Sequence, residues 1–371
     1  MAQGTFTRLT YERLGVILTD APGYKTLGST FEDLSRVQSV AYGFTNDSRK
    51  IKSIGSDSLI LFDGKSPLAR APEVNFQIEY LFCEPQNESS CGLYIGQEGS
   101  VLKNIIESPT TDDINILVVA SNEDSHKDII RLEQSDFENY NVIGVGNAFL
   151  NSYSYSASIG SLPSCSLTFA AGNLVFDTYQ DTNKPALPSL KLGTQNDRSS
   201  EVLELSETSF SNSLFKTYSS DVSAIKPGDI KVSIEKLNGQ KGGANISFFS
   251  MVQNISIDLQ IPREVIYGMG SNYPFNRKLR LPAEGTVSID VILNKFEATS
   301  AQNLFDEISS YRIEIEHIRE GQESVFILID QAQLESENFD ANIQNNSSVS
   351  IQMSYPVSKD SGLKIFTAPK V

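Results

Sequence analysis

Val252-Gln253-Asn254-Ile255-Ser256-Ile257-Asp258-Leu259-Gln260-Ile261 carries an apolar residue at every second position from Ile255 and stops at Pro262. Alternation of period two predicts a strand with one buried face and one wet face. The opening Val252-Gln253-Asn254-Ile255 repeats Val37-Gln38-Ser39-Val40, 215 positions earlier (252 − 37). Met269-Gly270-Ser271-Asn272 repeats Ile54-Gly55-Ser56-Asp57 at the same separation (270 − 55). Arg49 and Arg263 sit inside the two blocks, one residue out of register. An Arg-x-Pro follows each block, at Arg70-Ala71-Pro72 and Arg280-Leu281-Pro282. A second, ungapped match aligns Ala148, Leu150, Ser152, Tyr155, Ala157 and Ile159 with Ala332, Leu334, Ser336, Phe339, Ala341 and Ile343, 184 positions on (332 − 148). It continues through Cys165-Ser166-Leu167 against Val349-Ser350-Ile351. Blocks recurring in one order point to internal duplication, and a chain with two copies of one domain can build pseudo-symmetric rings.

Other strands follow from the same alternation. Val74, Phe76, Ile78 and Tyr80 form the clearest, and Val287, Ile289 and Val291 are its counterpart. Val101, Leu102, Ile105 and Ile106 predict a short helix before Pro109; Ala301, Leu304, Phe305 and Ile308 predict another, with Thr299 or Ser300 as N-cap. Strands are expected after each, at Ile114 to Val119 and Tyr311 to Ile318. The fold expected is mainly β with few helices: two tandem sandwich or barrel domains, each with one flanking helix. The boundaries expected are an N-terminal arm at 1–34, domain one at 35–176, a linker or long loop at 177–243 and domain two at 244–371. Ile230, Val232 and Ile234 alternate at the entry to domain two.

A formal charge of −16 argues against a surface built to grip nucleic acid, which needs clustered Lys and Arg. It does not exclude a surface that nucleic acid must slide past, since like charges repel and an acidic wall would keep DNA from sticking. No apolar run is long enough to span a bilayer, and Met1 to Asp20 contains no apolar core of a secretory signal. Cys83, Cys91 and Cys165 make no even framework and are expected to be free thiols.

Motifs for chemistry are missing. His126 lies in a polar loop, and neither it nor His317 stands near a nucleophile motif. Gly144-Val145-Gly146 lacks its third glycine, since Phe149 takes that place. Asp112-Asp113 and Glu123-Asp124 read as solvated turns rather than calcium ligands. No enzyme activity, cofactor or metal is expected. Arg49, Arg70, Arg263 and Arg280 recur at equivalent places. They are either surface residues flanking turns or interface residues that pair with acidic groups on a neighbouring subunit.

The block from Val252 through Arg263 to Gly270-Ser271-Asn272, with Tyr273-Pro274-Phe275 and Arg277, resembles virion structural proteins of tailed bacteriophages. So does Ser152-Tyr153-Ser154-Tyr155-Ser156-Ala157-Ser158-Ile159-Gly160 with Leu162-Pro163, and both are similar to segments of tail tube proteins. The resemblance implies a β domain with a flanking helix whose edge strands pair into stacked rings, forming a hollow tube. It implies a tail tube subunit in the virion tail, assembled in the host cytoplasm. Its partners would be itself, other tail proteins and double-stranded DNA passing without specific binding, with no membrane. Three chains with two domains each would make a pseudo-sixfold ring, the linker crossing outside; a hexamer is the alternative. A baseplate hub, distal tail or head-tail connector ring of the same fold is the runner-up. A carbohydrate-binding β-sandwich is disfavoured because the chain has no Trp for a binding platform.

Overall fold

The computed structural model describes residues 13–20, 32–45, 73–107, 113–121, 140–178, 225–237, 252–267, 274–292, 310–319, 323–340 and 348–368. The architecture is mainly β. In chain order the strands are β1 (Arg13–Asp20), β2 (Glu32–Leu34), β3 (Val37–Thr45), β4 (Glu73–Leu81), β5 (Ile114–Ser121), β6 (Tyr140–Ser158), β7 (Ser164–Thr178) and β8 (Ile230–Lys236). They continue with β9 (Val252–Gln260), β10 (Arg263–Tyr267), β11 (Pro274–Leu279), β12 (Ala283–Ile292), β13 (Ser310–His317), β14 (Ser324–Asp340), β15 (Ser348–Val357) and β16 (Leu363–Ala368). Two one-turn helices, α1 (Gln86–Ser90) and α2 (Lys103–Glu107), follow β4.

Fourteen of these strands form one antiparallel sheet, and β10 with β11 makes a separate hairpin. Eight neighbours run without interruption in the order β3-β4-β7-β6-β9-β12-β15-β14. This wall crosses from one half of the chain to the other where β6 pairs with β9, from Ser152 opposite Gln260 to Ser158 opposite Asn254.

Pairing in the second half repeats that of the first. The order β3-β4-β7-β6 corresponds to β9-β12-β15-β14, and β1-β5-β6 corresponds to β8-β13-β14. Irregularities recur at matching places. The β6/β7 register shifts between Leu150 and Ser152, and the β14/β15 register shifts between Leu334 and Ser336, each 184 positions on (334 − 150). Asn147 and Gln331 share that separation (331 − 147), and both hold positive φ, 51° for Asn147 and 64° for Gln331. Such angles are uncommon outside glycine. The β3/β4 ladder skips Gln38, and the β9/β12 ladder skips Gln253, 215 positions on (253 − 38). A bulge bends its strand, and the β6 and β14 bulges sit where these long strands change neighbours, from β5 to β9 and from β13 to an edge with no partner among the described residues.

The apolar face of the wall is the core. Phe76, Ile78, Leu167, Tyr153, Ile257, Val287 and Ile289 are fully buried, in one cluster that runs through both halves. Gly285 is required there because a Cβ would meet the ring of Tyr355 at 2.3 Å. Second-half strands close over first-half ones: His317 of β13 lies 5.5 Å from the ring of Tyr155 and 5.0 Å from that of Phe82. The α1–α2 segment docks on β16, Gly96 N–H donating to Ile365 O at 2.8 Å and Val101 N–H to Leu363 O at 2.8 Å.

Two expected boundaries meet strands. β1 and β2 lie inside the segment 1–34 that was expected as an arm, with β1 paired to β5 along its whole length. β8 lies inside 177–243, expected as linker, and pairs with β13. β1 stands to β5 as β8 stands to β13, with Val16 opposite Val118 and Val232 opposite Ile315. The two strands share almost no identity, and β1 carries the apolar run Val16-Ile17-Leu18 where β8 alternates, so sequence matching passes over them. The helix at Ala301 to Ile308, the turns at 54–57 and 269–272 and most of the linker lie outside the described residues.

Candidate functional site

Strand alternation gives the wall its second, polar face. One row across it reads Ser39, Glu79, Ser166, Ser154, Asp258, Thr286 and Ser354, each opposite the next. A second reads Ser164, Ser156, Ser256, Ser288, Gln352 and Ser336. These side chains are exposed or half-buried. They bind one another across the strands. Ser39 donates to Glu79 at 2.8 Å, Gln77 to Ser166 at 3.0 Å, and Asn254 and Ser350 both donate to Asp290, at 3.2 and 2.6 Å.

Charge is sorted by strand. None of the eight wall strands contains a Lys, Arg or His; within strands, basic residues fall only in β1, β8, β10, β11, β13 and β16. Glu79, Asp258, Glu284 and Asp290 lie on the polar face; Glu73 shares it but is paired with Arg277 of the separate hairpin. Hydroxyls and amides with interspersed carboxylates present no fixed cation to a phosphate, and the carboxylates repel one.

The wall is open at both ends among the described residues. β3 is paired on one side only, with β4. The C-terminal half of β14 is paired on one side only, with β15. Tyr42 and Phe44 of β3 are 45% and 55% exposed, whereas Ile257 and Leu259 at the matching places of β9 are fully buried.

Of the four recurrent arginines, Arg49 and Arg70 lie outside the described residues. Arg263 works inside the chain. Its Nε donates to Leu150 O at 2.9 Å, its Nη1 to Arg277 O at 3.3 Å, and its guanidinium sits 5.2 Å from the Phe149 ring. Arg277, which sequence reasoning quoted only for resemblance, is 4% exposed and pairs with Glu73 at 2.6 Å. The two arginines of the β10–β11 hairpin therefore clamp β4 and β6 of the first half beside a cleft of about 200 Å³. Arg280 is exposed; its backbone N–H donates to Pro262 O at 2.8 Å.

Buried titratable groups are structural in character. Glu88 is fully buried; Tyr80 O–H donates to its Oε1 at 2.7 Å, and burial pushes its carboxyl up to about 7. Tyr153 and Cys165 complete that cluster at 3.4 Å. His317 faces Tyr155 O–H at 2.6 Å and Val325 O at 3.3 Å, and burial pushes the imidazole down to about 4. Nδ1 thus carries the proton towards Val325 and Nε2 accepts from Tyr155. Cys83, Cys91 and Cys165 are free and buried. Among the described residues no group of His, Cys, Asp and Glu has the arrangement to hold a metal ion, and no helix is long and apolar enough to cross a membrane. His126 lies outside the described residues.

No family model and no curated protein sequence matches this chain. Among solved structures, it is similar to the SPP1 tail tube, at 12% identity and a TM-score of 0.26, over 46% of this chain and 79% of that one. It is similar to a chain of the anti-feeding prophage baseplate at 10% identity and a TM-score of 0.27, over 37% and 91%. A third is from the tail of an empty gene transfer agent particle, at 14% identity and a TM-score of 0.23, over 35% and 93%.

Which strands carry a cation can be read from the residues one by one. What sequence reasoning missed was which strands are neighbours. Only pairing shows that the cation-free strands are adjacent and the cation-bearing ones stand elsewhere.

Proposed function

We propose that this chain is a structural subunit of a phage-type tail, built from two copies of a tube-like β domain, and that it assembles into stacked rings with the polar face of the wall turned inward. The observation that carries the reading is the eight-stranded wall, its strands without a cation in either half and its two edges open among the described residues. A closed barrel removes edges that otherwise invite uncontrolled pairing. A lining of hydroxyls, amides and carboxylates gives double-stranded DNA water-mediated contact without counterion release, so DNA passes without being held.

Each chain supplies two domains to the wall, and three chains supply the six of a pseudo-sixfold ring. Other tail proteins cap the stack, and assembly belongs to the host cytoplasm with the product in the virion tail. The test is negative-stain electron microscopy of the purified protein over a concentration series. Stacked rings or hollow tubes with threefold or pseudo-sixfold symmetry are expected. Single closed rings that never stack would move the assignment to a hub or connector, and protein that stays monomeric at every concentration would overturn it. The lining is tested separately, by retention of double-stranded DNA on assembled protein at physiological salt. None is expected for the native wall, and retention is expected once Ser156, Gln260 and Thr286 are replaced by Lys.

A further inference from the structure

The joint between the halves is a template for a joint between copies. β6 meets β9 edge to edge, antiparallel, with Ser154 opposite Asp258 and Tyr155 opposite Ile257. The strand that matches β6 is β14, 184 positions on (336 − 152), and the strand that matches β9 is β3, 215 positions back (260 − 45). Of the eight wall strands, these are the two whose outer edges are unpaired among the described residues. Bulges and positive-φ residues recur at the same places in β6 and β14, so both edges present the same backbone geometry.

We propose that β14 of one copy pairs with β3 of a second copy, antiparallel, with Ser336 opposite Thr45, Asn338 opposite Gly43 and Asp340 opposite Ala41. This rests on the self-assembly reading above and names its joint. The register follows by carrying the β6/β9 pairs through the two offsets: Ser152 with Gln260 becomes Ser336 with Thr45, and Ser154 with Asp258 becomes Asn338 with Gly43. Burial points the same way. Phe44 is 55% exposed where its counterpart Leu259 is fully buried, and β9 has β6 paired along the edge that corresponds to the outer edge of β3. Pairing in this register extends the cation-free face without a break, since Asn338 joins the row that holds Ser350 and Asp290. A one-residue slip would instead turn the apolar side of β3 to the lining, which excludes neighbouring registers. The joint is heterologous, head to tail, and such joints close into rings when the rotation permits.

The experiment is disulfide trapping between two singly substituted full-length chains, Asn338→Cys and Gly43→Cys, mixed and treated with copper–phenanthroline. A Cβ added at Gly43 meets nothing within 4 Å, and Asn338 is exposed, so neither change disturbs the fold. The native cysteines are buried and serve as the background in unsubstituted protein. Directly opposed residues lie within the span a disulfide requires, so the mixture should form linked dimer at least about tenfold faster than either variant alone. Asn338→Cys mixed with Ala41→Cys, two residues off register, should be slower. A chain carrying both Asn338→Cys and Gly43→Cys should give a covalent ladder that ends at the number of copies in the ring. Rings that form without the 338–43 link, or that link 338 to 41 faster, would overturn the joint while leaving the assembly reading intact. Absence of any assembly by unsubstituted protein would remove both.

Discussion

β3 and β9 hold equivalent places in the pairing order of the two halves, yet one is a surface strand and the other an interior one. Val40, Tyr42 and Phe44 alternate as Ile255, Ile257 and Leu259 do. β9 has a neighbour on each side and its apolar residues are fully buried; β3 has one described neighbour, and Tyr42 and Phe44 stay exposed. Alternation writes a strand with an apolar face. Whether that face is covered depends on what lies beside it.

The comparison breaks most visibly under a buried charge. Ile289→Asp, at the centre of β12 and fully buried, should abolish cooperative folding, because an unpaired buried carboxylate costs as much as the whole stability of a domain, about 5–15 kcal/mol. Phe44→Asp should leave the free chain folded and block ring formation. Circular dichroism melting and electron microscopy separate the two, and an Ile289→Asp protein that melts normally would mean that the β12 register is wrong.

Truncation sharpens the same contrast. Leu259→Ala should cost about 2–5 kcal/mol in urea denaturation, whereas Phe44→Ala should cost about 0.5 kcal/mol or less in the monomer. In self-association, measured by sedimentation, Phe44→Ala should show the larger effect of the two once folding is corrected for. Equal costs in the monomer would mean that β3 is already covered.

The halves also differ in the polarity of their cores. Tyr80 and Cys165 are matched in the second half by the apolar Val291 and Val349, and in the first half Tyr80 contacts the buried carboxyl of Glu88 at 2.7 Å. Its folded pKa of about 7 lies above the ordinary value of 4.5. The neutral form is favoured by folding, so this contribution is full below the unfolded pKa and declines as pH rises to about 7. His317 acts in the opposite sense: its pKa is depressed to about 4, so its contribution is full above 6.5 and declines as pH falls towards 4. Glu88→Gln should therefore remove a loss of roughly 1–3 kcal/mol between acid and neutral pH and leave the rising limb of His317. Urea midpoints from pH 4 to pH 8 check this; an unchanged profile would place Glu88 in contact with water.

The smallest contrast is between arginines. Arg277→Ala should cost about 1–3 kcal/mol, since it strips a nearly buried cation from Glu73 and the Phe149 ring. Arg280→Ala, at an exposed position, should fall within about 0.5 kcal/mol of the native protein. Thermal shifts of the two variants, side by side, are the measurement.

Sequence by itself determined the strands that alternate. β4, β9 and β12 announce their buried and wet faces through period-two alternation, and the offsets of 215 (252 − 37) and 184 (332 − 148) place the recurrent blocks. Those same offsets hold in the β-ladders, bulges included, because an extra residue must be accommodated wherever the backbone repeats its path. The α2 helix was legible from Val101, Leu102, Ile105 and Ile106, of which the first three are buried. β1 was not legible as a sheet strand, since its partner β5 lies about a hundred positions further on and leaves no local mark. The candidate site was visible only in part: the acidic charge was plain, but the role of Arg263 and Arg277 came from neighbours 113 and 204 positions away. Tertiary structure alone decided that β6 lies against β9, that eight strands without a cation share one surface, and that β3 and β14 are its ends. Strand adjacency depends on contacts between distant segments, and alternation records which way a side chain points without recording what stands next to it.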